Sequence, residues 1–119
     1  MYKDWPRMAS ELSQAIKDLR TGAPETMKAF SALARSALEA KALDAKTKEL
    51  LALGIAVAIR CDSCIAFHAE AAVRQGATRD EIMETMGMAI YMGAGPSVMY
   101  AAQALEAFDQ FAARKAAAE

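Results

Sequence analysis

Cys61-Asp62-Ser63-Cys64-Ile65-Ala66-Phe67-His68 places two thiols and the chain's only histidine within eight residues, and Glu49 precedes them on the adjoining stretch. Two cysteines three positions apart can close into a disulfide. An imidazole can carry a proton near neutrality, and a carboxylate can set the charge of that imidazole. These are the groups a redox-active dithiol uses. Residues three and four apart share one face of an α-helix, so Cys61, Cys64 and His68 are expected along the first turns of one helix. Cys64 then falls where unpaired N–H groups and the helix dipole favour a thiolate, and its pKa should lie below the ordinary ~8.5. Asp62 opposes that effect, because its carboxylate competes for the same field. His68 stands one turn behind Cys64 and not behind Cys61, which makes Cys64 the expected nucleophile and Cys61 the resolving thiol. Attack on a peroxide gives a sulfenic acid that the second thiol converts to a disulfide, and attack on a disulfide passes through a mixed disulfide. Either cycle needs an external dithiol to reset it.

Glu49 has two readings from spacing alone. In a plain antiparallel hairpin it lies about one turn, ~5.4 Å, beyond His68, a distance two long side chains can bridge. It could equally be a solvated first-turn carboxylate that complements the helix dipole. A second arrangement of the same groups is a zinc module with Cys61, Cys64, His68 and Glu49 as ligands. Against it, structural zinc sites usually draw ligand pairs from separate segments, and three of these four share one helix face. The dithiol reading requires neither metal nor cofactor.

The elements that must position these groups read as helices throughout. Trp5, Met8, Leu12, Ile16 and Leu19 make one apolar stripe between about Asp4 and Arg20. Asp4 is the expected N-cap and Pro6 lies in the first turn. A second helix from about Pro24 to Ala40 aligns Met27, Phe30, Leu33, Ala34, Ala37 and Leu38. Asp44 caps a third helix to about Ile59, whose run from Leu50 to Ile59 is apolar all round and therefore expected to be buried. Arg60 to Ser63 turns into the fourth helix, which ends at the C′ glycine Gly76 and has a core face of Ile65, Ala69, Ala72 and Val73. Thr78-Arg79-Asp80-Glu81 is a capping box for a fifth helix to about Met92. Gly93-Ala94-Gly95-Pro96 breaks it, and a sixth runs to about Arg114. No stretch alternates like a strand. The expected fold is all-α, a single-domain antiparallel bundle of about six helices over residues 1–119. Five methionines between Met83 and Met99 are expected as core filler.

Bulk composition narrows the function classes. Fourteen basic and fifteen acidic residues in 119 leave a net charge of −1, which argues against a nucleic-acid groove or a basic membrane face. Hydrophobic residues make up 55% of the chain, more than so small a domain can hide alone, so a homo-oligomer of three-fold symmetry is expected. The uncharged run Met86–Leu105 has the length of a membrane span, but Gly87, Gly93, Gly95 and Pro96 interrupt it. The N-terminal residues lack the apolar core of a secretory signal, so a cytoplasmic location is expected, where a vicinal cysteine pair is more often catalytic or metal-binding than structural.

Glu49, Cys61-x-x-Cys64-x-x-x-His68, Ala72, Gly76-Ala77-Thr78 and Glu81-Ile82 together resemble the carboxymuconolactone decarboxylase superfamily, and within it the AhpD-type alkylhydroperoxidases. The resemblance covers roughly residues 28–110. It implies an all-helical subunit that assembles into trimers or hexamers, and a peroxidase or disulfide reductase activity of antioxidant type. It further implies reduction by a lipoyl- or thioredoxin-type dithiol. Carried over by position, Cys64 matches the peroxide-attacking cysteine, Cys61 its partner, and Glu49 and His68 the proton relay. AhpD proper has a histidine where this chain has Ser63, and a longer chain with two repeats. The decarboxylase branch typically lacks the paired cysteines; in an enzyme of that type Glu49 and His68 would be the acid–base pair and the thiols incidental.

Overall fold

Asp4 opens the first helix: its carboxylate accepts a hydrogen bond from the Arg7 N–H, and Pro6 occupies the first turn, where the missing donor costs nothing. In the computed structural model, which describes residues 1–119, this helix α1 spans Trp5–Gly22. It is followed by α2 (Pro24–Leu38), α3 (Ala45–Ala58), α4 (Asp62–Arg74) and α5 (Arg79–Ala118). The side chain of Asp44 caps α3 through the Thr47 N–H at 2.8 Å. The capping box at α5 is complete. The Thr78 hydroxyl accepts from the Glu81 N–H at 3.1 Å, and the Glu81 carboxylate accepts from the Thr78 N–H at 2.8 Å.

The core is one cluster of 18 buried residues. α3 supplies Leu53, Ala56 and Val57; α4 supplies Ile65, Ala66, Ala69, Ala72 and Val73; α5 supplies Ile82, Met86, Ala89 and a row from Ala101 to Phe111. The expected core face of α4 is buried throughout, and its alanines let α3 and α5 approach on either side. From α1 only Trp5 and Ala9 enter the core, and α2 buries nothing.

Three expectations are corrected. The helix count is five and not six, because the two final segments run on as α5 through a single non-helical residue, Ala94 (φ 54°, ψ −137°), just ahead of Pro96. The break falls where the glycines and proline placed it, but one residue absorbs it and no loop is needed. The apolar circumference of α3 is only half buried, with Leu51, Ile55 and Ile59 each 49–64% exposed. The methionines are mostly not filler: Met86 is buried, whereas Met83, Met88, Met92 and Met99 face outward. Phe30 and Leu33 of α2 are likewise uncovered. No helix is long and apolar enough to cross a membrane.

Candidate dithiol site

The turn between α3 and α4 sets the position of the first cysteine. The Cys61 N–H donates to the Ala56 carbonyl at 3.0 Å and the Arg60 N–H to the Val57 carbonyl at 3.2 Å, with Arg60 in the left-handed region at φ 59°. The same pair of bonds ends α4, where Ala77 reaches Ala72 and Gly76 reaches Val73, with Gly76 at φ 78°. Both are Schellman-type stops, and a residue with a Cβ in the left-handed conformation costs roughly 1 kcal/mol. Arg60 bears that cost, and the turn it makes delivers Cys61 to the start of α4.

Cys61 is the N-cap of α4, and its sulfur accepts from the Cys64 N–H at 3.2 Å. It therefore caps the helix and does not lie on its face, a refinement of the alignment expected from spacing. Cys64 occupies the third helical position. The two sulfurs are bonded as a disulfide, with Cα atoms 5.2 Å apart, and both residues are half-buried, within reach of small solutes. The ring so closed holds four residues. Loop-closure entropy for so short a ring is about 2 kcal/mol at most, small for a structural staple and suited to a bond that opens and closes.

His68 lies one turn further along α4. Its Nδ1 is 3.0 Å from Glu49 Oε2, which reaches across from the second turn of α3. Of the two readings of Glu49, the solvated one is thus set aside: the residue is 6% exposed and bonded to His68. An ionised carboxylate only accepts, so the bond makes Nδ1 the donor and leaves Nε2 free to bind or release a proton. The His68 side chain keeps 30% of its surface exposed, so the ring is partly open to solvent. The four residues singled out in the sequence thus form two bonded pairs, Cys61 with Cys64 at the start of α4 and His68 with Glu49 one turn further along it.

One partner was not foreseen. Lys3 Nζ forms an ion pair with Asp62 Oδ2, inside the four-residue ring, and donates to Gln103 Oε1 of α5 at 2.9 Å. Residues 1–5 are strapped onto α5. Glu106 accepts from the Tyr2 and Lys3 N–H groups and from Trp5 Nε1, while Gln110 accepts from the Trp5 N–H and donates to the Lys3 carbonyl. Burial pushes the Glu106 carboxyl up, but the donors from Trp5, Tyr2 and Lys3 outweigh it and hold its pKa below the ordinary value. Nothing in local spacing links Lys3 to a residue 59 positions away. A groove of about 360 Å³ runs between α1 and α4, lined by Met8, Leu12, Ser63 and Phe67 among others. No three His, Cys, Asp or Glu side chains form a group that could hold a metal ion.

A helical bundle whose Cys-x-x-Cys disulfide caps one helix and whose buried carboxylate orients a histidine behind it defines the class. The sequence profile of the carboxymuconolactone decarboxylase family matches residues 24–107, and the chain belongs to that family. It is 48% identical to a carboxymuconolactone decarboxylase family protein of Legionella pneumophila solved in its apo form. The two superpose with a TM-score of 0.89 over 91% of this chain and 96% of that one. A family member from Thermotoga maritima is 25% identical, with a TM-score of 0.84 over 94% of this chain and 96% of the other. An uncharacterised protein of Haemophilus influenzae is 41% identical over 108 residues, 91% of this chain and 96% of its own length.

Proposed function

We propose that the protein is a thiol-dependent oxidoreductase of the AhpD-like type that reduces small hydroperoxides or disulfides through the Cys61–Cys64 pair. The observation that carries this reading is the half-exposed disulfide at the first turn of α4, with His68 one turn behind it and held by Glu49. In the peroxide cycle the Cys64 thiolate attacks the distal oxygen, the O–O bond breaks, and His68 Nε2 supplies the proton that the leaving alkoxide takes. The Cys61 thiol then displaces hydroxide from the sulfenic acid, giving the disulfide and water. An external dithiol of lipoyl or thioredoxin type delivers two electrons and two protons, leaving as its own disulfide and restoring both thiols. The groove past Ser63 and Phe67 gives an apolar substituent of the substrate a place beside the pair. For the Thermotoga maritima relative, involvement in an antioxidative response has been suggested.

The test is turnover of an alkyl hydroperoxide with dihydrolipoamide as reductant. Cys64→Ser is expected to abolish it, and Cys61→Ser to stop the enzyme after one turnover at the sulfenic acid. The midpoint potential of the pair is expected between about −180 and −300 mV, the range of catalytic dithiols. Unchanged turnover in both variants would overturn the reading. A second reading, decarboxylation of a lactone acid by Glu49 and His68 as acid–base pair, draws on the same hydrogen bond. Such activity persisting in the double serine variant would select it.

The cycle belongs in a reducing compartment, which fits the cytoplasmic expectation. It also fits an assembly of three or six subunits, since the outer faces of α3 and α5 are apolar and uncovered in the single chain.

A further inference from the structure

The geometry points to Lys3 as a positioning residue that sets the charge around the dithiol, acting through Asp62; this inference rests on the redox reading above. Asp62 sits between the two cysteines, where its carboxylate penalises any thiolate formed on reduction. Lys3 Nζ pairs with that carboxylate and is held from behind by Gln103 Oε1. Its ammonium also lies 5.3 Å from the ring centres of both Tyr2 and Trp5, so it is confined on several sides. The backbone that carries it is pinned to α5 by Glu106 and Gln110. So many contacts on one lysine are unusual for a surface charge. The charged groups nearest to the pair along the chain, besides Asp62, are Arg60 in the preceding turn and His68 one turn on, with Glu49 bonded to it.

Reduction by a dithiol breaks the Cys61–Cys64 bond, adds two electrons, and leaves a thiol and a thiolate, or two thiols, according to pH. The negative charge that develops is next to Asp62. A fixed cation on Asp62 cancels the opposing field, lowering the Cys64 thiol pKa and making the disulfide easier to reduce. The N-terminal arm, remote in sequence, thus tunes the redox pair from outside the motif.

The test compares wild type, Lys3→Met, Lys3→Arg and Asp62→Asn in the full chain. Two quantities are read: equilibrium with a dithiol redox buffer, and the pH dependence of thiolate absorbance. Lys3→Met is expected to shift the equilibrium about threefold to tenfold towards the disulfide, ~15–30 mV at 29.6 mV per tenfold change, and to raise the thiol pKa. Asp62→Asn is expected to move both quantities the opposite way, and Lys3→Arg to restore the wild-type values. Opposite signs are what a purely structural role cannot produce, since loosening the arm in either variant would shift both in one direction. Trp5, the only tryptophan and fully buried, reports by its emission that the arm stays docked. Shifts of the same sign, or none, overturn the assignment of Lys3. A wild-type pair with no midpoint in the catalytic range overturns the redox reading itself, whatever the variants do.

Discussion

Glu49 is the only charged residue in the buried set, and a carboxylate removed from water persists only where a partner compensates it. Its partner is His68, and the bond fixes which imidazole nitrogen faces the chemistry. Glu49→Gln keeps the shape but removes the negative charge that stabilises an imidazolium, and its amide can donate to Nδ1, so Nε2 can no longer take up a proton and hand it to the alkoxide. On the proposed mechanism kcat should fall about 10- to 100-fold, as for other residues that orient a functional histidine. Steady-state peroxide reduction measures the fall. An unchanged kcat would place the proton traffic elsewhere. The Cys61, Cys64 and His68 spacing was legible in the sequence because helical periodicity is local. The Glu49 bond was legible only as a distance two side chains could span, and Lys3 not at all, since its link to Asp62 depends on where the arm docks.

At the level of elements, every helix but α2 was readable from a cap at one of its ends. Asp4, Asp44, Thr78 with Glu81, and Gly76 each use local hydrogen bonding that needs no knowledge of the fold. The junction in α5 was half readable. Gly93, Gly95 and Pro96 signalled a break, but whether a loop or one strained residue resolves it depends on packing. Gly93 explains why the geometry is so tight. A Cβ there would lie 1.9 Å from Ser97 Oγ and 3.0 Å from Ser97 Cβ, and Ser97 is buried. The hydroxyl can rotate away, but the Ser97 Cβ moves only with the backbone. Gly93→Ala is therefore expected to destabilise the protein by about 1–3 kcal/mol, the usual cost of overpacking a filled site. Ser97→Ala should recover part of that loss by removing the oxygen. Urea midpoints of the two single variants and the double variant measure the coupling. Additive effects would show that the two residues do not share the constraint.

Two consequences belong to the whole chain, the first being acid sensitivity of the N-terminal strap. The Glu106 carboxyl is held below its ordinary pKa, so it stabilises the docked arm at neutral pH and stops doing so as pH falls through its folded pKa, below about 4.5. Trp5 emission should redden in that range, and Glu106→Gln should show the change at neutral pH. The second is assembly. The apolar all-round sequence of α3 was readable, but burial by whom was not, since half of that circumference is bare in a single subunit. Leu51 and Ile55 of α3 and Met88 and Met92 of α5 line a groove of about 430 Å³ without a charged side chain. Full burial of one such side chain contributes roughly 1.5–3 kcal/mol. Covering four that are about half or more exposed therefore supplies several kcal/mol for each subunit whose patch is covered. A carboxylate placed at the centre of that surface would have to be buried unpaired, at a cost comparable to the whole gain. We therefore expect small-angle scattering at micromolar concentration to give three or six times the 12.7 kDa subunit mass, and Ile55→Glu to return it to one. Because Ile55 is more than half exposed in the subunit, the variant should keep its helical circular dichroism, so that loss of mass reads as loss of contact and not of fold. A wild-type chain that scatters as a monomer would mean this surface stays open to solvent or awaits a different partner.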